Sequence, residues 1–155
     1  MVVSDIINLA AKRMDLDVDD YDNQVMILHI NSGIARINNG LIKAKDPLAI
    51  KTLTVTGATI KPSDFFIVLS GYPVDETSTT ITPKAGAPTT INIKYFAFKP
   101  LLTTVGDTIP LPDYCIGELV DYVCIHMQND LEANVTQDTA LATSDEALLF
   151  SAKGG

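Results

Sequence analysis

The sequence predicts an α+β fold: an antiparallel bundle of about four helices with a small antiparallel β-sheet inserted between helices 2 and 3. Three observations predict it. Apolar residues recur at helical spacing over residues 1–46, alternate at a period of two over 48–100, and return to helical spacing over 112–153. No βαβ alternation occurs, which argues against a parallel sheet. The 155 residues are read as a single domain. Residues 1–46 carry helices 1 and 2, 48–100 the β insertion, and 112–153 helices 3 and 4 with a C-terminal tail.

Ser4 is placed to cap the first helix, with Asp5 favourable near its N-terminus. Ile6, Leu9, Ala10 and Met14 form the apolar stripe. Asp15, Asp17, Asp19, Asp20 and Asp22 then crowd into a short stretch where Asp favours turns, and Asp22 is read as the cap of the second helix. In that helix Ile27, Ile30, Ile34, Ile37 and Leu41 recur at steps of three and four, all on one face. Asn38-Asn39-Gly40 offers an early end, but Leu41-Ile42 keeps the period and extends the helix to about Lys43.

Thr52, Thr54 and Thr56 alternate with Leu53 and Val55, as a strand requires. Phe65 to Leu69 is a second, short apolar run. Thr77 to Thr82 and Thr89 to Phe98 flank a long turn, Pro83-Lys84-Ala85-Gly86-Ala87-Pro88. In the last strand Ile91, Ile93, Tyr95 and Ala97 face one way, and Asn92, Lys94, Phe96 and Phe98 the other. Four or more antiparallel strands are expected. One small sheet buries a single face on itself, so its other face is expected to pack on the bundle or on a neighbouring subunit. Pro112 and Asp113 mark the start of the third helix, in which Ile116, Leu119, Val120, Val123 and Met127 keep helical spacing. A break near Asn134-Val135-Thr136 precedes a last helix containing Leu141, Ala147, Leu148 and Phe150.

Charge is unevenly spread. Of a net −8, residues 1–104 contribute nothing, with 10 acidic and 10 basic side chains. Residues 105–155 hold nine acidic residues and one lysine, Lys153, which argues against a phosphate-gripping surface there. The longest bulky apolar run, Phe65 to Leu69, is five residues. A membrane helix needs roughly 20, so no membrane association is expected. The start Met1-Val2-Val3-Ser4-Asp5 lacks the basic region and cleavage site of a signal peptide, and a reducing interior is the expected compartment.

Motifs for chemistry are sparse. Asp15, Asp17 and Asp19 match the first three ligand positions of an EF-hand loop, but its turn glycine is replaced by Asp20 and its bidentate glutamate by Met26. The run is read as an acidic loop between helices. Cys115 and Cys124 fall on opposite sides of one helix and share neither a metal nor a disulfide within it; both are read as small buried hydrophobes. His29 and His126 are the two histidines, and neither sits in a catalytic motif. No enzyme activity, cofactor or metal site is expected.

Several pieces occur together in order. Ser4-Asp5-Ile6-Ile7 opens a short first helix, and Leu28-x-x-Asn31-x-x-Ile34-x-x-Ile37 runs along the second at steps of three. Tyr95-Phe96-Ala97-Phe98-Lys99-Pro100 leaves the last strand, and Ile109-Pro110-Leu111-Pro112-Asp113-Tyr114 leads into Leu119-Val120-Asp121-Tyr122-Val123. In this layout the chain resembles the head-to-tail adaptor (connector) proteins of tailed bacteriophages. The resemblance implies a virion structural protein at the head-tail junction, assembled in the host cytoplasm. Its copies would form a dodecameric ring that docks on the portal protein, extends the DNA exit channel and presents a surface to a tail or tail-completion protein. Genomic DNA would pass through without sequence-specific binding.

The same resemblance implies a portal-docking C-terminal tail at Leu148, Leu149, Phe150, Ser151, Ala152 and Lys153. It also implies a tail- or neighbour-facing part of the β insertion at Tyr72, Pro73, Val74, Lys84 and Gly86. In such a ring Asp113, Glu118, Asp121, Asp130 and Glu132 would supply an acidic channel wall, across which DNA slides because no cation holds its phosphates. Two readings compete: a monomeric protein-binding module using its β-sheet surface, and a small enzyme using His29 or His126.

Overall fold

The computed structural model of the chain describes residues 1–133. They fall into two compact units: residues 1–30 with those from 103 onward, and residues 31–102.

The first unit is helical. It contains α1 (Val3–Arg13), the first part of α2 (Asn23–Lys43), and α3, over 116–133. Ser4 does not cap α1. Val2 holds the cap position in extended conformation, and the Asp5 carboxylate accepts its N–H at 2.8 Å. The helix's first free N–H groups are met by backbone from far along the chain: Val3 N–H donates to the Asp107 carbonyl and Ser4 N–H to that of Val105, both at 2.9 Å. Asp107 is itself locked. It accepts the N–H groups of Thr103 and Thr104 at 2.8 and 3.0 Å, and these bonds hold its carboxyl below the usual carboxylate range.

Asp22 does cap α2, accepting the Gln24 N–H at 2.7 Å. Just before it, Val18–Asp20 form a 3-10 turn, closed by the Asp17 N–H donating to the Asp20 carboxylate. Helical spacing sorts the interior of this unit. Ile6, Ile7, Ala10 and Ala11 of α1, Met26, Ile27 and Ile30 of α2, and Leu119, Val120, Val123 and Met127 of α3 are all buried. Side chains tie α3 to both other helices. Asp121 accepts from Arg13, Asp130 accepts from His29, and the Cys124 thiol donates to the Ala10 carbonyl.

The second unit holds the rest of α2 and six strands: β1 (Ile50–Thr56), β2 (Thr59–Ile60), β3 (Phe65–Val68), β4 (Val74–Glu76), β5 (Thr80–Pro83) and β6 (Thr90–Ala97). These form two antiparallel three-stranded sheets, ordered β1-β6-β3 and β2-β5-β4. Leu53 pairs with Ile93 and Val55 with Ile91 across the first sheet. Its β3 carries a bulge between Phe65 and Ile67. Val55, Ile93 and Ile81, drawn from both sheets, make one fully buried core, against which Leu53, Phe65 and Val68 pack.

A four-helix bundle with one small inserted sheet is therefore not what this chain builds. Among the described residues there are three α-helices and two three-stranded sheets; the expected fourth helix lies outside the described residues. Two sheets form instead of one because the chain changes sheet at Gly57. That glycine adopts φ +61°, a value that favours glycine, and links β1 of the first sheet to β2 of the second. Each sheet then covers the other's inner face, so the β segment has a core of its own.

Candidate functional site

Successive residues of α3 turn by 100°. That rotation puts Glu118, Asp121 and Glu132 within about 60° of one another, opposite the buried face of Leu119, Val123 and Met127. All three acids are exposed, and Ile125, 56% exposed, lies among them. Asp130 lies off this stripe, where its carboxylate accepts the His29 Nε2–H at 2.7 Å. Asp113 precedes the helix, exposed in the 3-10 turn Asp113–Cys115. Three of the five acids proposed for a channel wall thus form one stripe.

In the β unit, Tyr72 and Val74 are half-buried against the Val55–Ile81–Ile93 core. Pro73, Lys84 and Gly86 are exposed. Lys84 N–H donates to the Pro73 carbonyl at 2.9 Å, which brings the two chain segments together, and Gly86 turns the chain at φ +82°. The surface offered at this end is therefore Pro73, Lys84 and Gly86. Leu148, Leu149, Phe150, Ser151, Ala152 and Lys153 lie outside the described residues.

The two histidines, 97 positions apart in the chain, come together. His126 lies between the Tyr122 ring, 4.1 Å away by centroids, and the His29 ring, at 5.8 Å. Cys124 is turned to Ala10, its Sγ 3.8 Å from the carbonyl oxygen. Among the described residues no group of three His, Cys, Asp or Glu side chains is placed to hold a metal ion. Nor, among them, is any helix long and apolar enough to cross a membrane.

A groove lies in the β unit. Asn31 and Asn38 are two turns apart on α2, about 10 Å along its axis. Asn31 Nδ2–H donates to the Leu102 carbonyl at 2.8 Å, and its Oδ1 accepts the Leu102 N–H at 2.9 Å. Asn38 Nδ2–H donates to the Ala97 carbonyl at 3.0 Å. The chain between these pins could reach roughly 17 Å if extended, so it has slack. A groove of about 210 Å³ is lined there by Ile34 and Ala35 of α2 and by Phe98, Pro100 and Leu101 of the strap. Asn38 also lines it. Its side chain is buried, and Oδ1 has no hydrogen-bond partner among the described residues.

The units differ in charge. Residues 31–102 carry four acidic and eight basic side chains, a net +4. The described residues of the helical unit carry twelve acidic and two basic, a net −10.

No protein-family model matches this chain, and no curated protein does.

Asn31 and Asn38 are the residues whose bonding role the sequence reading missed: it took Asn31 as part of a helix face and Asn38 as part of an early helix end. Their signal was present: polar side chains seven apart, each beside an isoleucine of the buried stripe, are placed to bond whatever crosses that stripe.

Proposed function

We propose that the chain is a virion structural protein, a head-to-tail adaptor whose copies form a ring on the portal, extend the DNA exit channel and present a surface for tail attachment. The observation that carries this reading is the division of charge, +4 on the β unit and −10 on the helical one. A subunit built this way favours contacts in which unlike units of successive copies meet. Such heterologous contacts close into a ring when the rotation per copy permits. The exposed stripe of Glu118, Asp121 and Glu132 supports the channel role, because an acidic wall leaves phosphates unbound. The resemblance of its ordered sequence pieces to those of phage adaptors supports it too.

Native mass spectrometry with the portal protein encoded nearby tests the reading. A dodecamer per portal adds about 200 kDa, given the 16.7 kDa chain. A clean monomer with no portal binding rejects it. That outcome favours a monomeric binding module, for which the specific support is an exposed aromatic pair. Phe66 and Phe98 meet with ring centroids 4.8 Å apart and planes tilted by 52°, are about half exposed, and stand beside the equally exposed Ile67.

A further inference from the structure

We infer that the outer face of the β1-β6-β3 sheet receives residues 145–150 of a second copy, with Leu148, Leu149 and Phe150 on its aromatic patch and Asp145 and Glu146 towards Lys94. The inference deepens the ring reading and rests on it, since it names the contact through which successive copies join.

The face itself specifies the chemistry of its occupant. The inner face of this sheet buries Val55 and Ile93 against Ile81 of the second sheet. Along β6, Asn92, Lys94 and Phe96 alternate with the buried Ile93, Tyr95 and Ala97, and so point outward. Ile67 pairs with Phe96 across the ladder, and Phe66, at the bulge of β3, meets Phe98 just past the end of β6. Phe66, Ile67 and Phe98 are each about half exposed. Side by side with Phe96 they form a continuous apolar patch, unlike singly scattered surface residues. Lys94 is exposed two positions from Phe96 and makes no ion pair among the described residues. The fitting partner is therefore a short apolar run with acid at one end.

The sequence holds one segment of that form. Asp145-Glu146-Ala147-Leu148-Leu149-Phe150 is the only place where two adjacent acids run directly into four apolar residues. It lies in the 22 residues beyond the described ones, which carry three acids and one lysine. Twelve positions separate Asp145 from Ala133 at the end of α3, up to about 40 Å of extended chain, which is enough to reach a neighbouring subunit. The lengths agree as well. Lys94 to Phe98 covers about 13 Å along the strand direction, and Glu146 to Phe150, also four positions, spans the same when extended. Charge acts in the same sense, since the unit that carries the face is net +4. The segment and the face are different surfaces of the chain, so the contact is heterologous, as a ring needs.

The test is site-specific photo-crosslinking combined with association measurements on the full chain. Phe150 is replaced by p-benzoylphenylalanine, and isotope-labelled and unlabelled copies are mixed, irradiated and digested. Cross-links joining position 150 of one copy to residues 66–67 or 96–98 of another are expected. In sedimentation runs at rising concentration, Lys94→Glu should weaken self-association about fivefold through like-charge repulsion. Adding Asp145→Lys and Glu146→Lys to it should restore association, which misfolding would not allow. Leu149→Ala with Phe150→Ala should weaken association at least about tenfold by removing the apolar anchors. A monomer at every concentration, cross-links confined to one copy or landing elsewhere, or a Lys94→Glu loss that the reversed acids do not restore overturns the inference. A ring on the portal in which position 150 cross-links to the portal protein rejects the sheet face and leaves the adaptor reading standing. Cross-linking between copies onto the sheet face without portal binding keeps the contact and rejects the adaptor reading.

Discussion

Tyr95 donates its phenol hydrogen to Asp64 across 3.0 Å, joining the centre of the β1-β6-β3 sheet to the loop that enters β3. Lys51 of β1 donates to the same carboxylate, so one acid ties together two strands and a loop. Burial works against the charged form of Asp64. The hydrogen bonds from Lys51 and Tyr95, together with the lysine's charge, outweigh it and hold the carboxyl below 3.8. Burial, and then the carboxylate it faces, push the Tyr95 phenol up from 10 to about 12.

Stability should accordingly fall at both ends of the pH scale. The Asp64 contribution is present above the ordinary carboxylate value and is lost as pH drops through the lowered folded value, below 3.8. Tyr95's is present below 10 and is lost as pH rises from 10 through 12. Urea midpoints measured against pH should show Asp64→Asn less stable than the parent at neutral pH by about 1–2 kcal/mol, with the gap closing in acid. Tyr95→Phe should lose less stability than the parent between pH 10 and 12. A neutral-pH gap that does not narrow as pH falls would show that Asp64 acts by something other than its charge.

The Asn31 side chain makes two opposed hydrogen bonds with the Leu102 backbone, as a paired strand would. Asn31→Leu leaves a partly buried N–H and carbonyl unmet, and should destabilise the β unit by about 2–4 kcal/mol. Hydrogen exchange at the Leu102 amide is the direct readout. Protection lost there, ahead of the Ile93 amide in the sheet centre, is expected.

Where the sequence was legible, local periodicity was the reason. Asp22 and the run to Lys43 marked both ends of α2, because a capping side chain and an apolar stripe are both written within the helix itself. The alternation of Ile91, Ile93, Tyr95 and Ala97 likewise follows the inner face of β6. The fold class failed where structure depends on distant partners. Strands β2 and β4 span only two and three residues, too short for alternation to register, and the second sheet depends on them. Ser4 was misread as a cap because Val105 and Asp107, a hundred residues on, take its role. The charge division was hidden for a similar reason. The aspartates from Asp15 to Asp22 cancel the lysines between Lys43 and Lys99 along the chain, although they fold into a different unit. Of the candidate site, the acidic stripe could be read from α3 alone, whereas the Asn38 groove required a strap from beyond β6.

Both thiols should react slowly while the chain is folded. Cys115 is buried, and Cys124 is half-buried against the Ala10 carbonyl. Burial raises the Cys124 thiol above 9, despite the opposing pull of Arg13, and so lowers its share of reactive thiolate. Titration with a chromogenic disulfide at pH 7.5 should label both only after denaturant is added, with native labelling at least about tenfold slower than for a free thiol. Rapid native labelling of one thiol would place Cys124 in a more open setting.

The acidic stripe of α3 gives the most direct functional prediction. Glu118 is exposed, Asp121 is exposed but paired with Arg13, and Glu132 accepts from Gln128 one turn earlier. None belongs to the buried face, so Glu118→Lys with Asp121→Lys should leave folding nearly intact. Loss of the exposed Arg13 pair costs at most about 1 kcal/mol. The two changes shift the stripe by four charges per copy, and in the proposed ring they would convert a phosphate-repelling wall into a binding one. Virions carrying both should assemble yet eject DNA more slowly, with the defect relieved as salt rises because screening weakens phosphate contacts. Ejection at the parental rate in low salt would show that this face of α3 lies away from the DNA path. Failure to assemble would instead place the stripe in a contact between copies or with the portal.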